Sequence, residues 1–146
     1  MSLPQKKFRE AVFYAVFSQD FSQSSDEEAV PMMMELLAMS KKNVRESIQR
    51  AALVLEKKAV IDECIQKYVP DYDLDRISYI ERNILRLATY ELLFDNEIPE
   101  VVAISEGIRL CRKFSTPEGA NFINGVLDAI YKKETALTAQ STSDGY

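Results

Sequence analysis

The chain has 146 residues, of which 47% are hydrophobic and 28% are charged, so it can bury the core of one globular domain. Its formal net charge is -5, with 18 basic and 23 acidic residues. This balance excludes a protein that coats nucleic acid non-specifically over its whole surface. Only four glycines and five prolines interrupt the chain, and no long stretch alternates apolar and polar residues, so an all-α fold is predicted.

The boundaries of the predicted helices follow from capping residues and prolines. Ser25 with Glu28 forms a capping-box pattern, and Ser40 is placed to cap the helix after it. The apolar stripe of that later helix changes phase near Lys57, which predicts a kink or a break there. The predicted helices span about residues 5–20, 26–39, 41–68 and 76–94, a stretch beginning at Pro99, and about 117–132.

The helix predicted over 76–94 is apolar around much of its circumference, which indicates a central position in a bundle. After residue 133 the sequence becomes small, polar and aperiodic. We therefore expect one helical domain over residues 1–133 and a disordered C-terminal tail over 134–146.

The sequence also predicts a cellular compartment. Cys64 and Cys111 are isolated in apolar-periodic segments, which favours buried free thiols in a reducing environment. The apolar run 11–17 is short, begins next to Glu10 and lacks a small-residue cleavage site, so it is not interpreted as a secretion signal. No run approaches the length of a membrane span, and a cytoplasmic protein is predicted.

The residues give little support to catalysis. The chain contains no histidine, no glycine-rich phosphate loop and no nucleophile with an adjacent base. Asp71, Asp73 and Asp75 lack the glycine and terminal glutamate of a calcium loop, so a solvated acidic turn is favoured. We expect a binding protein with no catalytic residues, no metal site and no cofactor.

A basic segment opens the first predicted helix. Lys6, Lys7 and Arg9 are interleaved with aromatic residues, a combination that suits unpaired nucleotides, because cations meet phosphates and rings stack on bases. Three cations alone give a log-log salt slope near -2, or a tenfold to twentyfold loss of affinity between about 50 and 200 mM salt. The alternative is an amphipathic helix whose solvent face happens to be basic.

The last predicted helix contains a second unusual segment, residues 121–128. Its core face is already supplied by other residues, while Phe122 lies off the main apolar stripe. Gly125 is unexpected, because glycine inside a helix costs about 1 kcal/mol relative to alanine. Either Gly125 admits a neighbouring helix and Phe122 is a second core aromatic, or both serve a function.

The segments 78–92, 98–99, 104–106, 112–114 and 122–128 together closely resemble the NusB family of bacterial transcription antitermination factors. The resemblance implies an all-α bundle of about six or seven helices in two small helical subdomains. It further implies binding of boxA RNA in nascent ribosomal RNA leaders, pairing with the ribosomal protein NusE, and docking on RNA polymerase to suppress termination.

The same resemblance assigns roles to individual residues. It places RNA at Lys6, Lys7, Arg9, Glu118 and Phe122. It places NusE at Phe17 and Glu81, although Ser78 and Glu81 also have the spacing of a local capping box.

Two other functions remain open at the level of sequence. The basic segment at the start of the first helix is short and contains two lysines, which cannot form the bidentate phosphate contact of arginine. Such a segment would suit a helical protein-interaction module with little intrinsic RNA binding. NusB-like domains also occur as appendages of RNA methyltransferases, but this chain has no room for a cofactor-binding α/β domain.

Overall fold

A computed structural model describes residues 5–22, 25–71 and 73–144. Within those ranges the chain is all-α and contains no strand, as predicted. The helices are α1 (Gln5–Phe21), α2 (Asp26–Leu37), α3 (Lys41–Glu56), α4 (Lys58–Lys67), α5 (Tyr79–Phe94), α6 (Glu100–Phe114) and α7 (Pro117–Asp144), with a 3-10 turn at Leu74–Arg76.

The predicted caps are present. Ser25 accepts a hydrogen bond from the Glu28 amide at 3.3 Å, and Ser40 accepts one from the Asn43 amide at 3.1 Å. The helix that was expected to break near Lys57 does so, since Lys57 ends α3 and its amide turns back to the Val54 carbonyl at 3.1 Å. Local hydrogen bonding therefore fixes these boundaries.

The chain divides into two compact units, Met1–Lys58 and Ala59–Tyr146, in agreement with the two helical subdomains implied by the resemblance. In the first unit, α1 and α2 both pack on α3. Its buried side chains include Val12, Val16, Met33, Val44, Ala51 and Val54.

The junction between α2 and α3 contains a strained residue. Ala38 caps α2 with φ 52° and ψ 53°, the left-handed region that a residue with a Cβ adopts at a cost. The amide of Met39 nevertheless reaches the Met34 carbonyl at 3.2 Å, so the turn completes the end of the helix.

Replacing Ala38 with glycine is expected to raise the free energy of unfolding by about 1 kcal/mol, because glycine adopts this conformation without the Cβ clash. Chemical denaturation followed by circular dichroism measures the change. The matched control is Ala52→Gly at an exposed position inside α3, which should lower the free energy of unfolding by about 1 kcal/mol. Equal effects of the two variants would contradict the assignment of strain to Ala38.

In the second unit, α5 packs against α6 and α7, which also pack on each other. Ten consecutive residues of α5, from Arg82 to Glu91, are buried, which confirms the central position predicted for this helix. α5 begins three residues later than predicted, because Leu74–Arg76 forms a 3-10 turn and Ser78 caps the helix. The fully buried aliphatic side chains are Ile61, Ile65, Ile84, Leu85, Leu110, Ile123, Leu127 and Ile130.

An ion pair links α4 to α5 inside this unit. The Arg86 guanidinium donates to both Asp62 carboxylate oxygens, at 2.8 and 2.9 Å, and to Asn83 Oδ1 at 3.1 Å. The Arg86 side chain is 6% exposed and that of Asp62 is 24% exposed. A buried cation therefore depends on this carboxylate.

Close helix packing in the second unit occurs at glycines other than Gly125. A Cβ added at Gly107 would lie 3.1 Å from Leu127 Cδ1 and 3.4 Å from Ala88 Cβ, so α6 approaches its neighbours there. A Cβ added at Gly125 would meet nothing within 4 Å. The interpretation of Gly125 as a helix-packing residue is therefore wrong, since it faces open space on the surface of α7.

The last helix is longer than predicted, because α7 continues to Asp144 rather than ending near residue 132. Glu134, expected to begin a disordered tail, is half-buried and accepts a hydrogen bond from the Tyr68 hydroxyl at 2.9 Å. It also accepts one from the Cys64 thiol at 3.6 Å. Glu134 lies on the inner face of α7, one turn after Ile130, and the prediction of a tail missed its contact with Tyr68, which is distant in sequence.

Both cysteines are free and buried, as predicted. Burial, with the nearby Glu134 carboxylate as a smaller cause, raises the pKa of Cys64 to about 12. Burial followed by the Glu81 carboxylate raises the pKa of Cys111. The neutral thiol is the weak nucleophile of the two protonation states, so neither cysteine is an activated residue. Among the described residues, no helix has the length and apolar character needed to cross a membrane.

Candidate nucleic-acid interface

The basic residues predicted to bind RNA lie in the first turns of α1. Lys6 is exposed, whereas Lys7 and Arg9 are partly covered. The Lys7 ammonium donates to the Ala38 carbonyl at 3.1 Å, next to the strained end of α2. Lys7 therefore helps to fix the junction between α2 and α3, although an ammonium has further donors for a phosphate.

The contact made by Lys7 brings a second group of cations near the first. Lys41 follows Ala38 by three residues, so their Cα atoms are at most about 11 Å apart. Lys41, Lys42 and Arg45 are all exposed at the beginning of α3. These cations were not predicted as site residues. Their position gives a signal in the sequence, because cations in the first turn of a helix are unfavourable next to the positive end of the helix dipole.

A ladder of aromatic rings runs along one face of α1. Phe13, Phe17 and Phe21 are spaced four residues apart, and successive ring centroids are 6.0 Å apart. Phe13 is 5% exposed and Phe21 is 70% exposed, with Phe17 between them. The ladder thus extends from the core to the surface, while a contact of Phe17 with NusE stays a prediction.

Glu81 has the local role that its spacing suggested. Its amide donates to Ser78 Oγ at 3.2 Å, and the Ser78 hydroxyl donates back to the Glu81 carboxylate at 2.6 Å. A Cβ at Gly119 would collide with this carboxylate, so Glu81 packs against the first turn of α7. The capping alternative is confirmed, and a further role of Glu81 at a partner interface stays a prediction.

The outward face of α7 carries the other two predicted RNA residues. Thr116 caps this helix by accepting a hydrogen bond from the Gly119 amide at 3.0 Å, and Pro117 is its first residue. Glu118 and Phe122 are one turn apart on the helix and therefore share a face. Glu118 is exposed and Phe122 is partly buried, so the choice between a core aromatic and a binding residue at Phe122 stays a prediction.

The predicted site residues thus fall into two groups. The first unit contains Lys6, Lys7, Arg9 and Phe17. In the second unit, Glu118 and Phe122 belong to the first turns of α7, and Glu81 packs against them from α5. Across the described ranges, no group of three or more cysteine, aspartate or glutamate side chains could hold a metal ion. The chemistry available at these surfaces is electrostatic attraction, stacking and hydrogen bonding.

Comparison with known proteins gives the same family as the motifs. The sequence profile of the NusB family matches residues 6–132. A transcription antitermination protein NusB from Thermotoga maritima is 36% identical over 133 residues, covering 91% of this chain and 94% of the relative. One from Dehalococcoides mccartyi strain CBDB1 is 32% identical over 132 residues, covering 90% and 92%.

Solved structures show the same similarity in three dimensions. T. maritima NusB superposes with a TM-score of 0.75 at 36% identity, covering 90% of this chain and 93% of that one. A NusB chain from a crystal structure of antitermination factors NusB and NusE with double-stranded RNA gives a TM-score of 0.76 at 26% identity, covering 88% and 96%. The chain belongs to the NusB family.

Proposed function

We propose that this protein is an RNA-binding transcription antitermination factor, which pairs with NusE on boxA RNA of nascent ribosomal transcripts and suppresses termination by RNA polymerase. The observation that carries the proposal is the 36% identity to a protein named for transcription antitermination, over nearly the whole of both chains. The solved complex of a 26% identical relative with NusE and RNA supports both partners.

Charge distribution supports a phosphate-binding role for the first unit. Residues 1–58 contain nine basic and eight acidic residues, whereas 59–146 contain nine basic and fifteen acidic residues. An acidic surface repels phosphates, so the cations of α1 and the beginning of α3 are the favoured contacts.

A second candidate function is a protein-interaction module that works only through NusE. The hydrogen bond from Lys7 to Ala38 favours it, because this cation already has a structural partner. The two functions differ in whether RNA sequence affects binding.

The separating experiment titrates fluorescently labelled boxA RNA and a scrambled RNA of equal composition, each with and without NusE. We expect a clear preference for boxA when NusE is present and a weaker one without it. Equal affinity for both RNAs in the presence of NusE would overturn the proposed function and leave the protein-interaction module.

The salt dependence of boxA binding should reveal how many cations take part. Six cations, Lys6, Lys7, Arg9, Lys41, Lys42 and Arg45, predict a slope near -4 on a log-log plot, or a loss of about 300-fold between 50 and 200 mM salt. Replacing Lys41, Lys42 and Arg45 with alanine should reduce the slope to about -2. The control replaces the exposed cation Arg112 in α6, and an unchanged slope in the triple variant would exclude α3 from the site.

A further inference from the structure

A groove runs along α3 within the first unit. Two cavities form it, one of about 390 Å³ between α2 and α3 and one of about 220 Å³ where α1 meets these two helices. Ile48 lines both cavities, so they are adjacent. We use "the α3 groove" for the surface of both cavities, to which α3 contributes Lys41, Arg45, Ile48, Ala51, Ala52 and Leu55.

The length of the α3 groove matches a short helix. The residues that α3 contributes are three or four positions apart and therefore share one face of that helix. They extend from Lys41 to Leu55, or about 21 Å at the rise of an α-helix. A partner helix of about four turns would cover this distance.

The floor of the α3 groove is apolar and consists mostly of small side chains. Ala29, Val30, Met33 and Ala51 line it and are each less than 9% exposed. Alanine side chains allow the backbone of a neighbouring helix to approach closely, and the unbranched Met33 side chain can adapt to different partners. An apolar groove of this kind is the surface that an amphipathic helix binds.

One end of the α3 groove is positively charged. Lys41 and Arg45 line it, are exposed, and make no hydrogen bond or ion pair with another described residue. Glu27 lines the same cavity from α2, so two cations face one carboxylate there. In a chain whose formal net charge is -5, this end favours an acidic partner.

The floor suits RNA less well than it suits a protein helix. None of the described side chains that line the two cavities is aromatic, so unpaired bases would find no ring on which to stack. Phosphates could meet Lys41 and Arg45, but the apolar remainder of the groove gives a nucleic acid no polar contact. The chemistry of the whole groove therefore favours a protein segment.

We propose that the α3 groove binds an amphipathic α-helix of a partner protein, whose apolar side chains cover the floor and whose acidic end faces Lys41 and Arg45. The proposal goes beyond the proposed function and does not depend on it. Because the same two cations are expected to contact RNA, the bound helix and RNA would compete for them.

A synthetic peptide of about 15 residues serves as the probe. It carries leucines three and four positions apart, glutamates at one end and a fluorescent label, and it is titrated with the full chain while anisotropy is recorded. The control peptide has lysines in place of the glutamates. We expect the acidic peptide to bind at least about fivefold more tightly, because two ion pairs at an exposed site contribute about that factor.

Replacing Ala52 with glutamate tests whether the peptide lies on the floor. Ala52 is exposed, so the variant should fold, but the bound helix would bury an unpaired carboxylate and affinity should fall at least about tenfold. The matched control is Leu53→Glu, since Leu53 is 44% exposed and lines neither cavity. This control should leave peptide affinity unchanged, and circular dichroism checks that both variants fold.

Reversing the charge at the end of the groove tests the direction of binding. The double variant Lys41→Glu with Arg45→Glu should bind the lysine peptide more tightly than the glutamate peptide. An unchanged preference in this variant would show that the acidic peptide binds elsewhere on the chain and would overturn the proposal.

The remaining outcomes identify other occupants. Equal affinity for both peptides, or unchanged affinity in Ala52→Glu, overturns the proposal. If neither peptide binds and Ala52→Glu weakens boxA binding, the groove belongs to RNA. If sedimentation shows that Ala52→Glu dissociates a dimer of the unaltered chain, a second copy covers the groove, and the proposal is again overturned. A missing boxA preference would overturn only the proposed function.

Discussion

Replacing Asp62 with alanine is expected to lower the free energy of unfolding by about 3 to 5 kcal/mol, the largest effect on stability that we expect from one substitution. The loss arises because the Arg86 guanidinium, whose side chain is 6% exposed, would keep its charge but lose two hydrogen bonds to a carboxylate. Urea denaturation followed by circular dichroism provides the measurement.

The control for this prediction removes the charge together with its partner. Asp62→Leu combined with Arg86→Met leaves no unpaired charge and keeps most of the packing volume, so the double variant should recover most of the stability that the single variant loses. A loss below about 1 kcal/mol in Asp62→Ala would show that water replaces the carboxylate, as in a surface ion pair.

Replacing Phe122 with alanine is expected to weaken boxA binding in the presence of NusE by about 1 to 3 kcal/mol, or about 5- to 150-fold. The physical reason is the loss of base stacking on the Phe122 ring, which stacks on no other described ring. Since Phe122 is only partly buried, unfolding should change by only about 1 kcal/mol. Fluorescence anisotropy and thermal melting measure the two effects.

The control for Phe122 is another phenylalanine of the second unit. Phe114, at the end of α6, is 38% exposed and lies on a different helix from Phe122, so Phe114→Ala should leave RNA affinity unchanged. A stability loss above about 3 kcal/mol in Phe122→Ala would identify its ring as core. Unchanged RNA affinity would remove Phe122 from the interface.

Features set by short-range chemistry could be predicted from the sequence. The caps at Ser25 and Ser40 depend on a side chain and an amide three residues away, and both are as expected. The break at Lys57 followed from a change of phase in the apolar stripe. The start of α5 was placed too early because apolar Ile77 continues the helical pattern, although its backbone is extended.

Features set by distant neighbours could not be predicted in this way. A glycine inside a helix shows no sign in sequence of whether a neighbour faces it, so packing was one of two interpretations of Gly125, whereas the close contacts occur at Gly107 and Gly119. The end of α7 was misplaced for a similar reason, since the contact of Glu134 with Tyr68 spans 66 residues of chain. The bond from Lys7 to Ala38 spans 31.

The residues of the candidate site were assigned by family resemblance, and for Phe122 helical periodicity gave a second indication. Phe122 stood out because it lies off the apolar stripe, and its partial exposure agrees with that. The capping bond between Glu81 and Ser78 was suggested by their spacing, whereas the packing of Glu81 on Gly119 could be seen only in the folded structure. A charge reversal at Glu81 would therefore perturb the fold as well as any NusE contact. Glu81→Gln is the better test of a NusE contact, because glutamine can keep the capping bond to Ser78.

The proposed function requires boxA RNA to contact the basic residues of α1 in the first unit and, as a separate contact, Glu118 and Phe122 of α7 in the second unit. The most direct measurement is nuclear magnetic resonance of the labelled chain bound to NusE, recorded before and after addition of boxA RNA. We predict that RNA shifts the amides of residues 6–9 and also those of residues 118–125. Shifts confined to one of these segments, or to neither, would contradict the account.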